Sequence, residues 1–153
     1  MDIVYIDESG IDRHLGRTHA RAPRGKTITT KRPGKRFKRI NVIAAQCNGE
    51  IIAPCLYEWS TKAVWFETWF EWHLCPQLNP NSVVIMDNAK FHRKTALAKI
   101  AAFYGITLLF LPPYSPDKNS IEHLWANMKS YLRKNAIYHD TIQKALGAYF
   151  NLN

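Results

Sequence analysis

The sequence predicts an α/β fold in which one mixed sheet, partly antiparallel and partly parallel, carries helices. The first observation is a β-rich run at 3–7, typical of a short strand that ends at Asp7. The second is an apolar run at 40–47, followed by Asn48-Gly49, a strong hairpin signal, and a return strand at 51–56. The third is the alternation of helix and strand patterns after residue 60, which is typical of parallel crossovers.

Each element after the hairpin has its own signal. Ser60 stands where it can cap a helix, and Gly105 follows the end of another. Apolar runs and turn residues predict, in chain order, a helix at 61–73, a strand at 83–86, a helix at 93–104, a strand at 106–111, an extended proline loop at 112–116, and helices at 120–133 and 141–150, the last capped by Asp140. One or two short strands are expected around 17–22. The main strands add up to a five-stranded sheet.

Length and composition limit the class of protein. A chain of 153 residues suits a single domain over 1–153, and 46% hydrophobic with 22% charged residues excludes a disordered or fibrous chain. No apolar run reaches the roughly 18 residues of a membrane helix, and the acidic N-terminus is unlike a signal peptide. We therefore expect a cytoplasmic protein without membrane contact. The three cysteines are expected to be reduced apolar residues.

The positive charge is concentrated in one segment. Residues 13–39 hold eleven of the 21 Lys and Arg and no Asp or Glu, so they carry +11, and the remainder carries −2 of the net +9. Such a dense basic block favours a polyanionic partner, with nucleic acid the leading candidate. A solvated basic loop without a specific partner is the alternative.

Three carboxylates stand out by position. Asp7 and Asp87 each end a predicted apolar strand, and Glu122 lies in the first turn of a predicted helix. Neighbouring strands would bring the two aspartates to one edge of the sheet, and the helix could carry Glu122 across them. Clustered carboxylates repel one another unless cations neutralise them, and Mg²⁺ prefers such oxygen ligands. Two ions about 4 Å apart could hold both oxygens of a phosphodiester displacement.

Each of these acids also has a purely structural interpretation. Asp7 and Asp87 could be turn residues, and Glu122 could cap its own helix because it lies three residues after Asn119. Glu8 is expected on the opposite side of the strand from Asp7. Asn88 and His92 could assist at the site, or be a turn residue and a surface histidine.

Three segments then carry a resemblance to a known family. YIDESG at 5–10, MDNAKFH at 86–92 and LPPYSPDKNSIEHLWANMK at 111–129 closely resemble the catalytic domain of bacterial insertion-sequence transposases of the mariner superfamily. These are DDE transposases with an RNase H-like fold. The 34 residues between Asp87 and Glu122 match the spacing of that superfamily. The chain has Ser120 where the family usually has Pro.

The resemblance implies an activity and a set of residues. Asp7, Asp87 and Glu122 would be the catalytic and metal-binding triad, holding two Mg²⁺ ions, for which Mn²⁺ could substitute. The reaction would be Mg-dependent hydrolysis of double-stranded DNA at transposon ends, followed by attack of the freed 3′-OH on target DNA, typically at TA. A homodimer on DNA is expected because two ends must be joined.

The same resemblance implies a role in DNA binding for the basic segment and the absence of one DNA-binding module from this chain. Residues expected to contact DNA phosphates, close to the active site, are Arg21, Arg24, Lys26, Lys31, Arg32, Lys35, Arg36 and Lys38. The helix-turn-helix module that usually precedes the catalytic domain is expected to be absent from this chain. In a bacterial cell the protein would lie in the cytoplasm, at the nucleoid when bound to DNA.

Three other interpretations stay open on the residues alone. One is a different RNase H-like nuclease, such as a ribonuclease H or a junction resolvase. Another is a basic DNA-binding remnant that has lost its chemistry. The third is a basic RNA-binding protein, which predicts that Asp7, Asp87 and Glu122 lie far apart.

Overall fold

A computed structural model of the chain describes residues 1–12, 39–113 and 119–152. Its centre is a five-stranded sheet with the strand order β3-β2-β1-β4-β5. The strands are β1 (Ile3–Ile11), β2 (Ile40–Cys47), β3 (Glu50–Tyr57), β4 (Val83–Met86) and β5 (Thr107–Phe110). β1, β2 and β3 pair antiparallel, whereas β1–β4 and β4–β5 are parallel. The predicted five-stranded mixed sheet is therefore confirmed.

In the described ranges, four α-helices flank the sheet, with shorter helical turns between them. They are α1 (Ala63–Trp69), α2 (Lys94–Tyr104), α3 (Glu122–Asn135) and α4 (Ile142–Tyr149). A π-helical turn at Phe70–Leu74 and a 3₁₀ turn at Cys75–Gln77 continue α1. Among the described residues, no helix is both long and apolar enough to cross a bilayer.

The two faces of the sheet bury separate hydrophobic cores, because alternate residues of a strand point to opposite faces. Val4 and Ile6 of β1 pack with the residues of α1, the π-helical turn and α2. Ile11 of β1 and Ala44 of β2 pack on the other face with α3 and α4. This division decides which helix each side chain of β1 meets.

Several element boundaries differ from the sequence predictions. β1 continues to Ile11 because its upper half pairs with β2, so Asp7 lies inside the strand instead of at its end. Ser60 does not cap α1, whose N-cap is Lys62, and Asp140 does not cap α4, whose N-cap Thr141 accepts a hydrogen bond from the Lys144 N–H.

Other local predictions hold. Asn48 and Gly49 both have positive φ, as the predicted two-residue hairpin requires. Gly105 ends α2 in the left-handed conformation, with φ of 69°. The predicted strands near 17–22 and most of the proline loop at 112–116 lie outside the described residues.

Candidate active site

The site lies where the ladder between β1 and β4 ends. The last pair of that ladder is Tyr5 with Ile85, and both strands run in the same direction. Asp7 and Asp87 each follow two residues later, so the shared register brings them to the same level of the sheet. Asp87 directly follows the last residue of β4, as predicted.

Three carboxylates converge at this point. Asp7, Glu8 and Asp87 each offer an oxygen, and these oxygens all lie within 4.8 Å of one another. The Asp87 side chain is half-exposed, and its Oδ1 accepts a hydrogen bond from the Ala89 N–H at 3.3 Å. The cluster is therefore open to solvent on the Asp87 side and closed on the side of Glu8.

Glu122 approaches the same cluster from α3. It is the first residue of that helix and it is exposed. Its side chain is close enough to Asp7 that a hydrogen bond between the two carboxyls contributes to raising the pKa of Asp7. The structure thus clusters Asp7 with Asp87 and Glu8, and it places Glu122 beside Asp7 but outside the group whose oxygens all lie within 4.8 Å of one another. This arrangement does not fit a protein in which these acids lie far apart.

Two buried polar contacts fix α3 against β1. Trp125 donates its indole N–H to Asp7 Oδ2 at 3.2 Å. Asn119, only 5% exposed, donates its amide to the carbonyl of Ile6 at 3.2 Å and accepts from the Ile121 N–H at 3.2 Å. Both contacts join the N-terminal part of α3 to β1, the strand that carries Asp7. Glu122 lies between Asn119 and Trp125 in the chain.

Glu8 points away from α3, as expected, and yet reaches the cluster from the other face. Its Oε1 lies 3.9 Å from Nε2 of His92, which is buried against the rings of Phe66 and Phe91. His92 is 7% exposed and is not a surface residue. Its Nδ1 lies 3.0 Å from the carbonyl oxygen of Asp87.

Burial and mutual repulsion raise the pKa values of carboxyl groups in the cluster, so these groups favour the protonated state when no cation is bound. Burial, followed by the charge of Glu8, raises the pKa of Asp7 to about 8, with a smaller contribution from Asp87. Burial also raises the pKa of Glu8, against the opposing effect of His92. Carboxylates in this state gain from a bound divalent cation, which replaces the protons and offsets the repulsion.

The remaining predicted site residues have different outcomes. Asn88 is exposed in the turn after Asp87. The eight basic residues predicted to contact DNA, from Arg21 to Lys38, lie outside the described residues. Arg39, the last residue of the basic segment, lies over the backbone of Gly10 at the same edge of the sheet.

Glu8 is the residue that sequence reasoning placed outside the site. Alternation along β1 correctly sends its side chain to the opposite face. However, β4 ends at Met86, so the side chain meets no strand there and its carboxylate can approach Asp87. The available signal was a second acid beside Asp7 in an otherwise apolar strand, since a buried charge needs a partner.

A comparison with family models identifies the group to which this site belongs. Residues 2–143 match the model of the DDE superfamily endonuclease domain. The chain belongs to the DDE superfamily of endonucleases. This confirms the family that the sequence motifs suggested, over nearly the whole chain.

Similar solved structures give the same fold. The Mos1 strand transfer complex matches with a TM-score of 0.69 at 21% identity, over 99% of this chain and 47% of that chain. The catalytic domain of Mos1 mariner transposase matches with a TM-score of 0.62 at 16% identity, over 99% and 70%. A simian T-cell lymphotropic virus intasome structure matches with a TM-score of 0.62 at 13% identity, over 97% and 46%. The predicted RNase H-like fold is confirmed.

One curated relative is similar in sequence. The uncharacterized protein y4pE/y4sA of Sinorhizobium fredii is 37% identical over 60 residues, which is 39% of this chain and 42% of that protein. The chain spans about half the length of the Mos1 chains in DNA complexes, 47% to 48%.

Proposed function

We propose that this DDE endonuclease domain is the catalytic domain of a mariner-type transposase, which cleaves DNA at transposon ends and joins the 3′-OH to target DNA. The observation that supports the proposal is the clustering of Asp7 and Asp87 at one edge of the sheet, with Glu122 of α3 beside Asp7. Mos1 transposase, whose fold is similar, forms a paired-end complex with its left transposon end, which supports DNA as the substrate here.

The donor set fits divalent metal ions. Asp7, Asp87 and Glu122 would hold Mg²⁺ or Mn²⁺, since carboxylate oxygens are the ligands that these hard cations prefer. When bound, two such ions would supply the charge that stabilises the attacking and leaving oxygens at phosphorus. The buried Oε1 of Glu8 has no hydrogen-bond partner among the described residues, which supports a cation as its neighbour.

The protein's own groups orient this chemistry. Trp125 and Asn119 hold Asp7 and the first turn of α3 together, so that Glu122 faces Asp7. His92 and the surrounding rings close the inner side of the site, which leaves the half-exposed side of Asp87 for the phosphate to approach. The basic residues of 13–39 would offset the repulsion between DNA and the acids.

Finer features belong to the same proposal. They are the use of two ions, TA target sites, the homodimer on DNA, the eight phosphate contacts from Arg21 to Lys38 and a cytoplasmic location beside the chromosome. A module that reads transposon ends would complete the activity, whether it belongs to this protein or to another chain.

The test uses end-labelled DNA duplexes that carry the terminal inverted repeats of the cognate element. We expect cleavage in Mg²⁺ or Mn²⁺ and none in EDTA. Asp87→Asn and Glu122→Gln should each lower the rate at least about 1,000-fold, because each removes a ligand from the metal site. Asp140→Asn is the matched control, since Asp140 forms only an exposed pair with Lys144.

Two results would contradict the proposal. Full cleavage by Asp87→Asn would exclude the carboxylate site. Preferential cleavage of RNA–DNA hybrids, without joining of a 3′-OH to a target duplex, would instead indicate another RNase H-like nuclease.

A further inference from the structure

The two aspartates of the site lie just beyond the pairing that joins β1 to β4. The β1–β4 ladder ends at Tyr5 and Ile85, below the level of Asp7 and Asp87. Beyond that pair, the described pairing of β4 continues only with β5, through Met86 and Phe110. A contact beyond the ladder can therefore contribute to the distance between the two carboxylates.

His92 anchors the segment that presents Asp87. Its Nδ1 lies 3.0 Å from the Asp87 carbonyl oxygen, and its backbone N–H donates to the Ala89 carbonyl at 3.0 Å. The imidazole packs at 4.4 Å, centroid to centroid, from both Phe66 and Phe91. Residues 87–92 therefore form a closed turn with a rigid ring at its base.

The hydrogen bond to Asp87 fixes which ring nitrogen is free. A carbonyl oxygen only accepts, so Nδ1 carries a proton and donates it, which leaves Nε2 directed at Glu8. Nε2 of His92 and Oε1 of Glu8 are 3.9 Å apart, and they are the buried side-chain atoms of the described residues that have no hydrogen-bond partner. The two atoms face each other within ion-pair distance, longer than a hydrogen bond, so each is the other's nearest available polar partner among the described residues.

We propose that Glu8 and His92 form a positioning pair that ties β1 to the turn after β4 and so sets the separation of Asp7 and Asp87 for metal binding. The inference rests on the proposed metal-dependent function. Glu8 is adjacent to Asp7 in β1, and His92 is bonded to the main chain of Asp87, so the pair spans the gap that the ladder leaves. Both residues act through the aspartates, and neither needs to touch DNA.

This role differs from two others that the same location allows. A metal ligand needs a carboxylate oxygen, so replacing Glu8 by glutamine would be as harmful as removing the side chain. A residue that merely fills space could be replaced by methionine without effect on metal binding. A positioning residue instead tolerates glutamine, whose amide donates to Nε2, and does not tolerate methionine.

The experiment measures Mn²⁺ affinity of the full chain by electron paramagnetic resonance, without DNA. Glu8→Met and His92→Phe should each weaken Mn²⁺ binding about 10- to 100-fold, the usual effect of losing a residue that orients metal ligands. Glu8→Gln should stay within about threefold of wild type. The double variant Glu8→Met/His92→Phe should lose no more than either single variant, because the two residues act as one unit.

Glu67→Gln is the matched control. Glu67 also binds the start of α2, through a two-point contact with Arg93 at 2.7 Å, but on the exposed side of the turn. It should leave Mn²⁺ affinity unchanged. Loss of folding does not confound the result, because the double variant replaces both partners by apolar side chains, which commonly maintains stability, and it should show the same loss of Mn²⁺ affinity.

A readout without metal follows the pair itself. In ¹⁵N spectra of the metal-free protein, Glu8→Met should shift the Nε2 resonance of His92, whereas Glu67→Gln should not. The proposal is overturned by wild-type Mn²⁺ affinity in Glu8→Met, by a Glu8→Gln loss as large as that of Glu8→Met, or by an unshifted Nε2 resonance. A protein that binds Mn²⁺ with this pattern but cleaves no DNA would contradict the proposed function and leave the positioning pair intact.

Discussion

The indole N–H of Trp125 donates a hydrogen bond to Oδ2 of Asp7 over 3.2 Å. Trp125 lies three residues after Glu122 in α3, so the two side chains lie on neighbouring parts of one helix face. The ring itself is buried in the core beneath α3, with 4% exposure. Trp125 thus has two roles: its ring packs in the core beneath α3, and its N–H orients the carboxylate of Asp7.

Replacing Trp125 by phenylalanine separates these two roles. Trp125→Phe keeps an aromatic ring in the core but removes the donor to Asp7. A hydrogen bond to a charged group contributes about 1.5 to 3 kcal/mol, so we expect a rate loss of roughly 10- to 100-fold at subsaturating Mg²⁺. Cleavage measured across a Mg²⁺ series checks this. Wild-type rates at every Mg²⁺ concentration would show that the contact does not orient Asp7.

Asn119 should matter for stability at the start of α3. Asn119→Ala removes the donor to the Ile6 carbonyl and the acceptor for the Ile121 N–H, so we expect a loss of about 1 to 3 kcal/mol in the free energy of unfolding. Asn135→Ala is the control at the other end of the helix, where the amide donates to the Tyr131 carbonyl. It should cost less, because Asn135 is only partly buried. Urea unfolding measures the free energy of unfolding of both variants. An equal decrease in the two would contradict the special role of Asn119.

The acid cluster should make stability depend on pH. The pKa of Asp7 is about 8 in the folded protein, chiefly because of burial, and 3.8 is its ordinary value. Between these values the folded protein binds more protons than the unfolded chain, so the free energy of unfolding falls as pH rises from about 4 to about 8. Asp7→Asn should flatten this slope and raise stability at pH 8 by at least about 1 kcal/mol, since one pKa unit corresponds to about 1.4 kcal/mol. Thermal unfolding of metal-free protein at pH 4, 6 and 8 measures it; a steeper slope in the variant would contradict the assignment.

Divalent cations should reverse that destabilisation. A ligand that binds only the folded protein raises the free energy of unfolding, by about 2.7 kcal/mol at one hundred times its Kd. We expect Mg²⁺ or Mn²⁺ to raise the Tm at pH 8, and EDTA to return it to the metal-free value. Asp87→Asn should abolish the increase and Asp140→Asn should retain it. An equal increase in both variants would place the cation elsewhere on the protein.

The sequence predicts well what depends on local pattern. Asp87 follows a strand of four apolar residues, and Asn48-Gly49 forms the turn that its residue types require. The order of strands and helices from residue 40 onward also agrees with prediction. The specific motif around Glu122 identified the family, since three acids alone would have fitted other interpretations.

The features that the sequence did not predict depend on contacts between elements, such as where neighbouring strands end. Asp7 was expected at the end of a strand, but β1 continues because β2 is longer than β4 and pairs with residues up to Ile11. The shortness of β4 also admits Glu8 to the cluster. The burial of His92 depends on Phe66, which is 26 residues earlier in the chain, so no local pattern contains it.

The outer strand β3 has a consequence for how copies of this domain can assemble. Its register with β2 shifts between Ile43 and Ala45, Ala53 there has φ of 52°, and Pro54 offers no N–H. Among the described strands β3 has no neighbour on its outer side, and a bulge and a proline there disfavour the addition of a strand from another molecule. The border on the other side, β5, is only four residues long. Two copies of this domain that meet would therefore be expected to contact each other through side chains and not by continuing one sheet into the other.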